Sequence, residues 1–171
     1  MKRLAIAMLG LGLLCTHVYA ETTENRTQME ETSSVTSVAN QNLQTGEAFL
    51  AANKNKPGVV TLADGLQYKV IKEGTGGQPT ENDIVTVNYA GKLINGTEFD
   101  SSYKRGQPAT FPVSGLIPGW VEALKLMKVG STWELYIPPT LAYGEQGAPP
   151  AIGPNETLIF KLELLDAKKQ P

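Results

Sequence analysis

The 171-residue sequence holds one cysteine, Cys15, and one histidine, His17, and both fall in its first twenty residues. That stretch reads as an export signal: Lys2 and Arg3 give a basic start, residues 4–14 an apolar run, and Val18, Tyr19 and Ala20 a small-residue cleavage site. The apolar run is shorter than the about 20 residues a spanning helix needs, so no stable membrane insertion is expected. Leu13 and Leu14 stand where a lipoprotein signal places small residues before its cysteine, which argues against acylation of Cys15. Cleavage after Ala20 would remove the only thiol and the only imidazole together. The mature chain could then form no disulfide of its own and bind no metal through His or Cys. Ser-His and Cys-His nucleophile pairs would be excluded as well. Losing Lys2 and Arg3 takes the formal charge from −2 to −4, a poor basis for binding nucleic acid, which leans on Lys and Arg to neutralise phosphates. No metal, cofactor, internal repeat or Gly-rich phosphate loop is indicated.

What is present changes character along the chain. Residues 21–37 are rich in Thr, Ser, Glu and Asn with almost no apolar periodicity, and are expected to be a disordered linker. Val38, Leu43, Phe49 and Leu50 lie among good helix formers, which predicts a helical linker over residues 38–56, weakened by Gly46 and stopped at Pro57-Gly58. A solvated linker helix is its bland alternative. From residue 57 to 171 the pattern is that of one strand-rich domain. Residues 59–62 and 66–71 flank Asp64-Gly65, a hairpin signal. Ile84, Val85, Val87 and Tyr89 mark a longer strand that ends near Asn95-Gly96, and residues 132–137 and 157–165 mark two more. Trp120, Leu124 and Met127 recur at i, i+4 and i+7, one apolar stripe on a short helix closed by Lys128 and Gly130. The expected class is α+β: an antiparallel sheet wrapped around one short helix, preceded by the N-terminal helix and the disordered tail. Residues 144–155 carry three glycines and three prolines and are expected to be a functional loop.

Three segments, NYAGKLINGTEFDSS from residue 88, GLIPGWVEALKLMKVG from residue 115 and LAYGEQGAPPAIGPNETLIF from residue 141, bring aromatics and one carboxylate within one domain length. Their order and content resemble FKBP-type peptidyl-prolyl cis-trans isomerases over roughly residues 57 to 167, and among these the bacterial macrophage-infectivity-potentiator-like branch. The resemblance implies an apolar pocket with Trp120 as the floor under a proline ring and Tyr89, Phe99, Phe111 and Phe160 as its walls. It implies Leu116 and Ile117 at the rim, with the Ile117 N–H holding a substrate carbonyl and the Tyr143 hydroxyl a second one. Asp100 would orient the rotating amide, paired with Arg105, and Ile152 would cover the pocket from the flap. In this reading Asp100, Tyr143, Ile117 and Phe99 act on the reaction and the others bind. Ala109 at the rim and Ala148 in the flap depart from the larger side chains common in the family.

Each residue also has an ordinary reading: buried aromatics in a small β domain are usually core, and Phe99-Asp100 can be a strand end with a turn-forming Asp. The expected activity is prolyl isomerisation of unfolded or partly folded exported polypeptides, with macrolides as implied inhibitors. A periplasmic location follows from the signal, with secretion or outer-membrane association left open. The alternative is a peptide-binding chaperone module with little or no turnover. The mature chain is expected to be monomeric, with weak pairing through residues 38–56 left open.

Overall fold

A computed structural model describes residues 15–170, with side chains from Ser33 on. Residues 1–14, most of the expected signal, lie outside the described residues. Helix α1 runs over Cys15–Asn53; the residues up to Ser37 form one compact unit and those from Val38 a second. The helix takes in residues 21–37, where composition predicted no regular structure. Neither proline nor glycine occurs from Glu21 to Gln44, and a helix pairs its backbone groups internally. Scarcity of apolar residues limits burial, but it does not by itself break that ladder.

Within the second unit α1 is docked rather than solvated. Ala39, Asn42, Leu43, Gly46, Phe49, Leu50 and Asn53 are its buried and half-buried positions, spaced by three and four as one helix face requires. Gly46, the weak point in the sequence, is a point of close approach: a Cβ there would run into the Thr157 hydroxyl. At the helix end Asn53 donates to Gln67 Oε1 at 3.0 Å, and Gln67 Nε2 donates to the Leu50 carbonyl at 2.9 Å. That second bond satisfies one of the acceptors a helix C-terminus leaves over.

The rest is a twisted sheet over a short helix. Its strands are β1 (Val59–Thr61), β2 (Gln67–Lys72), β3 (Asp83–Leu93), β4 (Glu98–Ser101), β5 (Ala109–Pro112), β6 (Thr132–Ile137) and β7 (Leu158–Lys169). Every pairing is antiparallel, in the order β1-β2-β6-β7-β3-β4, with β5 also on β3. The two turn signals are the hairpins that join β1 to β2 and β3 to β4. Gly65 and Gly96 take φ of 95° and 87°, and the preceding Asp64 and Asn95 accept from the Leu66 and Thr97 amides at 3.1 and 2.9 Å. Helix α2 (Ser102–Arg105) and strands β4 and β5 were not read from the sequence; each is four residues long.

Helix α3 (Pro118–Leu126) starts with proline at its first turn, where no amide is needed. It buries Trp120, Ala123 and Leu124, with Met127 as its cap, against the sheet residues Val85, Val87, Leu135, Ile137, Leu158, Phe160 and Leu162. Gly119 permits the approach, since a Cβ would stand 2.6 Å from Ile137 Cγ2. Among the described residues no helix is long and apolar enough to cross a membrane.

Candidate active site

Strand β3 organises the site. One edge is paired with β7 throughout. The other is shared: residues 84–87 pair with β5 and residues 90–92 with β4. Asn88 and Tyr89 fall in the gap, and α2 fills it. Ser101 caps α2 by accepting from the Lys104 amide, and Gly106 ends it in the left-handed region. Ser102 Oγ, fully buried, accepts from the Tyr89 amide at 2.8 Å and so supplies the partner that the broken strand edge lacks. The FDSS segment thereby places Phe99 and Asp100 on the strand, and its two serines build the turn that follows.

Across this turn lies an open cavity of about 310 Å³, lined by Tyr89, Phe99, Asp100, Phe111, Gly115, Leu116, Ile117, Trp120, Tyr143 and Phe160. Trp120 is 4 % exposed and forms the floor. Its ring meets Tyr89 at 5.2 Å and Phe160 at 5.1 Å, both edge-on, and Phe111 at 6.3 Å. Phe99 stands edge-on to Phe160 at 5.5 Å, so successive walls lock one another in the T-shaped geometry that aromatic quadrupoles favour. Ile117 is the N-cap residue of α3. Its N–H is one of the donors a helix start leaves outside its own ladder, and Pro118 beside it offers none.

The polar edge is a triad of Tyr89, Asp100 and Arg105. The Tyr89 hydroxyl donates to Asp100 Oδ2, Arg105 Nη1 pairs with Asp100 Oδ1, and Arg105 Nη2 donates to the Tyr89 oxygen at 2.8 Å. Burial works to raise the Asp100 pKa, but the Tyr89 hydroxyl and the Arg105 guanidinium outweigh it and hold the carboxyl below its usual range. Burial, reinforced by the hydrogen bond to Asp100, pushes the Tyr89 phenol up. Both shifts favour the ionised Asp100 and the protonated Tyr89 at neutral pH, an anion and a donor held in place rather than an acid–base pair. The site can bind, orient and desolvate.

Nine of the eleven residues expected from the sequence line this cavity. Arg105 stands behind Asp100, and its guanidinium lies 5.4 Å from the Tyr89 ring centroid. Ile152 is 5 % exposed and turned into the core, where it anchors the loop through paired backbone bonds with Ala148 at 2.9 and 3.1 Å. Ala109 and Ala148 do not line the cavity. Two contributors were missed. Gly115 is part of the lining, and Gly91 makes the wall possible: a Cβ there would lie 2.6 Å from both the Phe99 and Phe160 rings. A glycine inside an otherwise regular strand is the signal that could have pointed to it. A wider hollow of about 580 Å³, sharing Leu116, is rimmed by Asp64, Glu81, Glu122 and Lys125. No aromatic converges there, so the smaller cavity is the candidate site.

A half-wrapped sheet, one short helix with an indole at its start, and an aromatic pocket edged by a carboxylate define an FKBP-type domain. Residues 75–165 match the family model for FKBP-type peptidyl-prolyl cis-trans isomerase, and residues 13–70 match the domain amino terminal to it; the chain belongs to this family. It is 67 % identical over 129 residues to the peptidyl-prolyl cis-trans isomerase Mip of Coxiella burnetii, covering 75 % of this chain and 56 % of that protein. Outer membrane protein MIP of Legionella longbeachae is 59 % identical over 131 residues, 77 % of this chain and 56 % of its own length. The chain thus spans little more than half of either relative. The crystal structure of FkpA from Escherichia coli superposes with a TM-score of 0.88 at 41 % identity, over 94 % of this chain and 75 % of that one.

Proposed function

We propose that this chain accelerates cis–trans rotation about X–Pro bonds in unfolded or partly folded exported polypeptides, without a covalent intermediate. The observation that carries this is the aromatic pocket around Trp120 with Asp100, its carboxyl held below the usual range, at its edge. Amide rotation meets a barrier of about 18–20 kcal/mol because it breaks C–N conjugation. The twisted amide is less polar than the planar one, so an apolar, water-poor pocket favours it relative to water. Uncatalysed exchange takes tens of seconds or more; reaching milliseconds needs about four decades, on the order of 6 kcal/mol of selective stabilisation. The proline ring packs on Trp120, carbonyls meet the Ile117 N–H and the Tyr143 hydroxyl, and Asp100 orients the turning amide. The same pocket would take macrolide inhibitors. The basic, apolar N-terminal segment supports a periplasmic location.

The reading keeps the chain monomeric, because from Ala39 on α1 buries its inward face on its own domain. A stable dimer in light scattering at low micromolar concentration contradicts that part alone. The decisive experiment is a protease-coupled proline-peptide assay on residues 21–171. Turnover that Asp100→Ala and Phe99→Ala lower in folded protein supports the proposal. Peptide binding without turnover would instead make the chain a chaperone module.

A further inference from the structure

Helix α1 reaches the pocket through the loop that follows Tyr143. Asn42 Nδ2 donates to the Pro154 carbonyl at 2.8 Å. Gly153 leaves room for this amide, since a Cβ on it would stand 3.3 Å from Asn42 Nδ2. Next in the chain, Asn155 donates its side-chain amide back to the Ala39 carbonyl at 3.4 Å and its backbone amide to the Gly144 carbonyl at 2.9 Å. Asn155 holds φ at +55°, the one non-glycine residue with positive φ among those described, a backbone conformation that the surrounding contacts help to hold. Gly144 directly follows Tyr143, and the Gly147 amide closes the turn onto the Tyr143 carbonyl at 3.2 Å. The path from helix to pocket is therefore a run of hydrogen bonds: Asn42 to Pro154, Asn155 to Gly144, and Gly144 in peptide linkage to Tyr143. Tyr143 itself is 42 % exposed, so the pocket walls give it little support and its position depends on the loop backbone.

We infer that Asn42 and Asn155 are positioning residues for the pocket: by pinning residues 154–155 to helix α1 they set where the Tyr143 hydroxyl meets the substrate. The inference rests on the isomerase reading of the same pocket. Asn42→Ala is expected to lower kcat/KM at least threefold with the domain still folded. Asn155→Gly keeps the positive φ while removing the tie to Ala39, and is expected to act in the same direction. Gln44→Ala, on the exposed side of α1, serves as the control for helix propensity. In a Tyr143→Phe background the Asn42→Ala effect should vanish, since residues acting through one group are not additive. An equal fold-loss in both backgrounds, or full activity in both asparagine variants, overturns the inference. Hydrogen exchange at the Gly147 and Asn155 amides gives a readout independent of turnover: Asn42→Ala should speed both. Should the wild-type chain prove inactive, the functional reading fails, and this exchange alone decides whether the helix holds the loop.

Discussion

Asp100 has a side chain 42 % exposed, yet Tyr89 and Arg105 hold both its oxygens, so a surface carboxylate is fixed in direction. Removing it should leave folding largely intact and depress turnover, as should Phe99→Ala and Tyr143→Phe; steady-state kinetics on folded variants checks this, and unchanged kcat/KM would discard the site. Trp120→Ala differs, because the indole is at once floor and core. A buried aromatic truncated to alanine costs about 3–5 kcal/mol, so denaturant midpoint and activity should fall together. Gly91→Ala tests the wall from behind: the added methyl must push the Phe99 and Phe160 rings apart. Activity should drop with a smaller loss of stability than Trp120→Ala gives, as activity and melting curves of the two variants will show.

Helix α1 offers a test at Gly46 whose sign is diagnostic. Gly→Ala inside a helix usually stabilises by about 1 kcal/mol; here the methyl would meet the Thr157 side chain, so the melting temperature should fall instead. Stabilisation would mean that the helix is not docked at that point. A second test lies where α3 faces the β1–β2 turn. The hydrogen bond to Asp64, followed by burial, pushes Glu122 up to about 7, while that bond to Glu122 holds Asp64 low. In the unfolded chain Glu122 titrates near its ordinary 4.5. Between these values the folded protein keeps a proton that the unfolded chain has released, so stability falls as pH rises through the window. Lys125, on the same helix, works against the shift, and Glu156, raised by burial, adds to the slope. The melting temperature should decline from pH 5 to pH 8, and Glu122→Gln, which can still donate to Asp64, should flatten much of that decline. Parallel profiles for the two proteins would remove the pair as its cause.

For the whole molecule, stability and turnover should part company with pH. Asp100 is shifted below its ordinary value and Tyr89 above, so activity is expected to stay nearly flat from about pH 6 to pH 8 even as the melting temperature moves; a bell-shaped profile centred near neutrality would point to acid–base catalysis. Much of this was legible in advance, for physical reasons. The 3.6 spacing of Trp120, Leu124 and Met127 and the Asp-Gly and Asn-Gly turns are local signals, and the structure honours them. Strands β4 and β5 were not legible because each is four residues long and owes its pairing to β3. The docking of α1 was not legible because its contacts, Gly46 with Thr157 and Asn42 with Pro154, join residues more than one hundred positions apart. The Asp64–Glu122 pair likewise joins a turn to a distant helix. Strand β7 carries the same lesson into time. It lies between β6 and β3 and supplies Phe160, yet it comes last in the sequence, so until it docks the sheet is two unjoined halves and the pocket is unfinished. Pairings that span such distances close slowly. While they remain open, the chain presents eleven prolines and unjoined strand edges, and on the activity proposed above it would itself be a substrate for a finished copy.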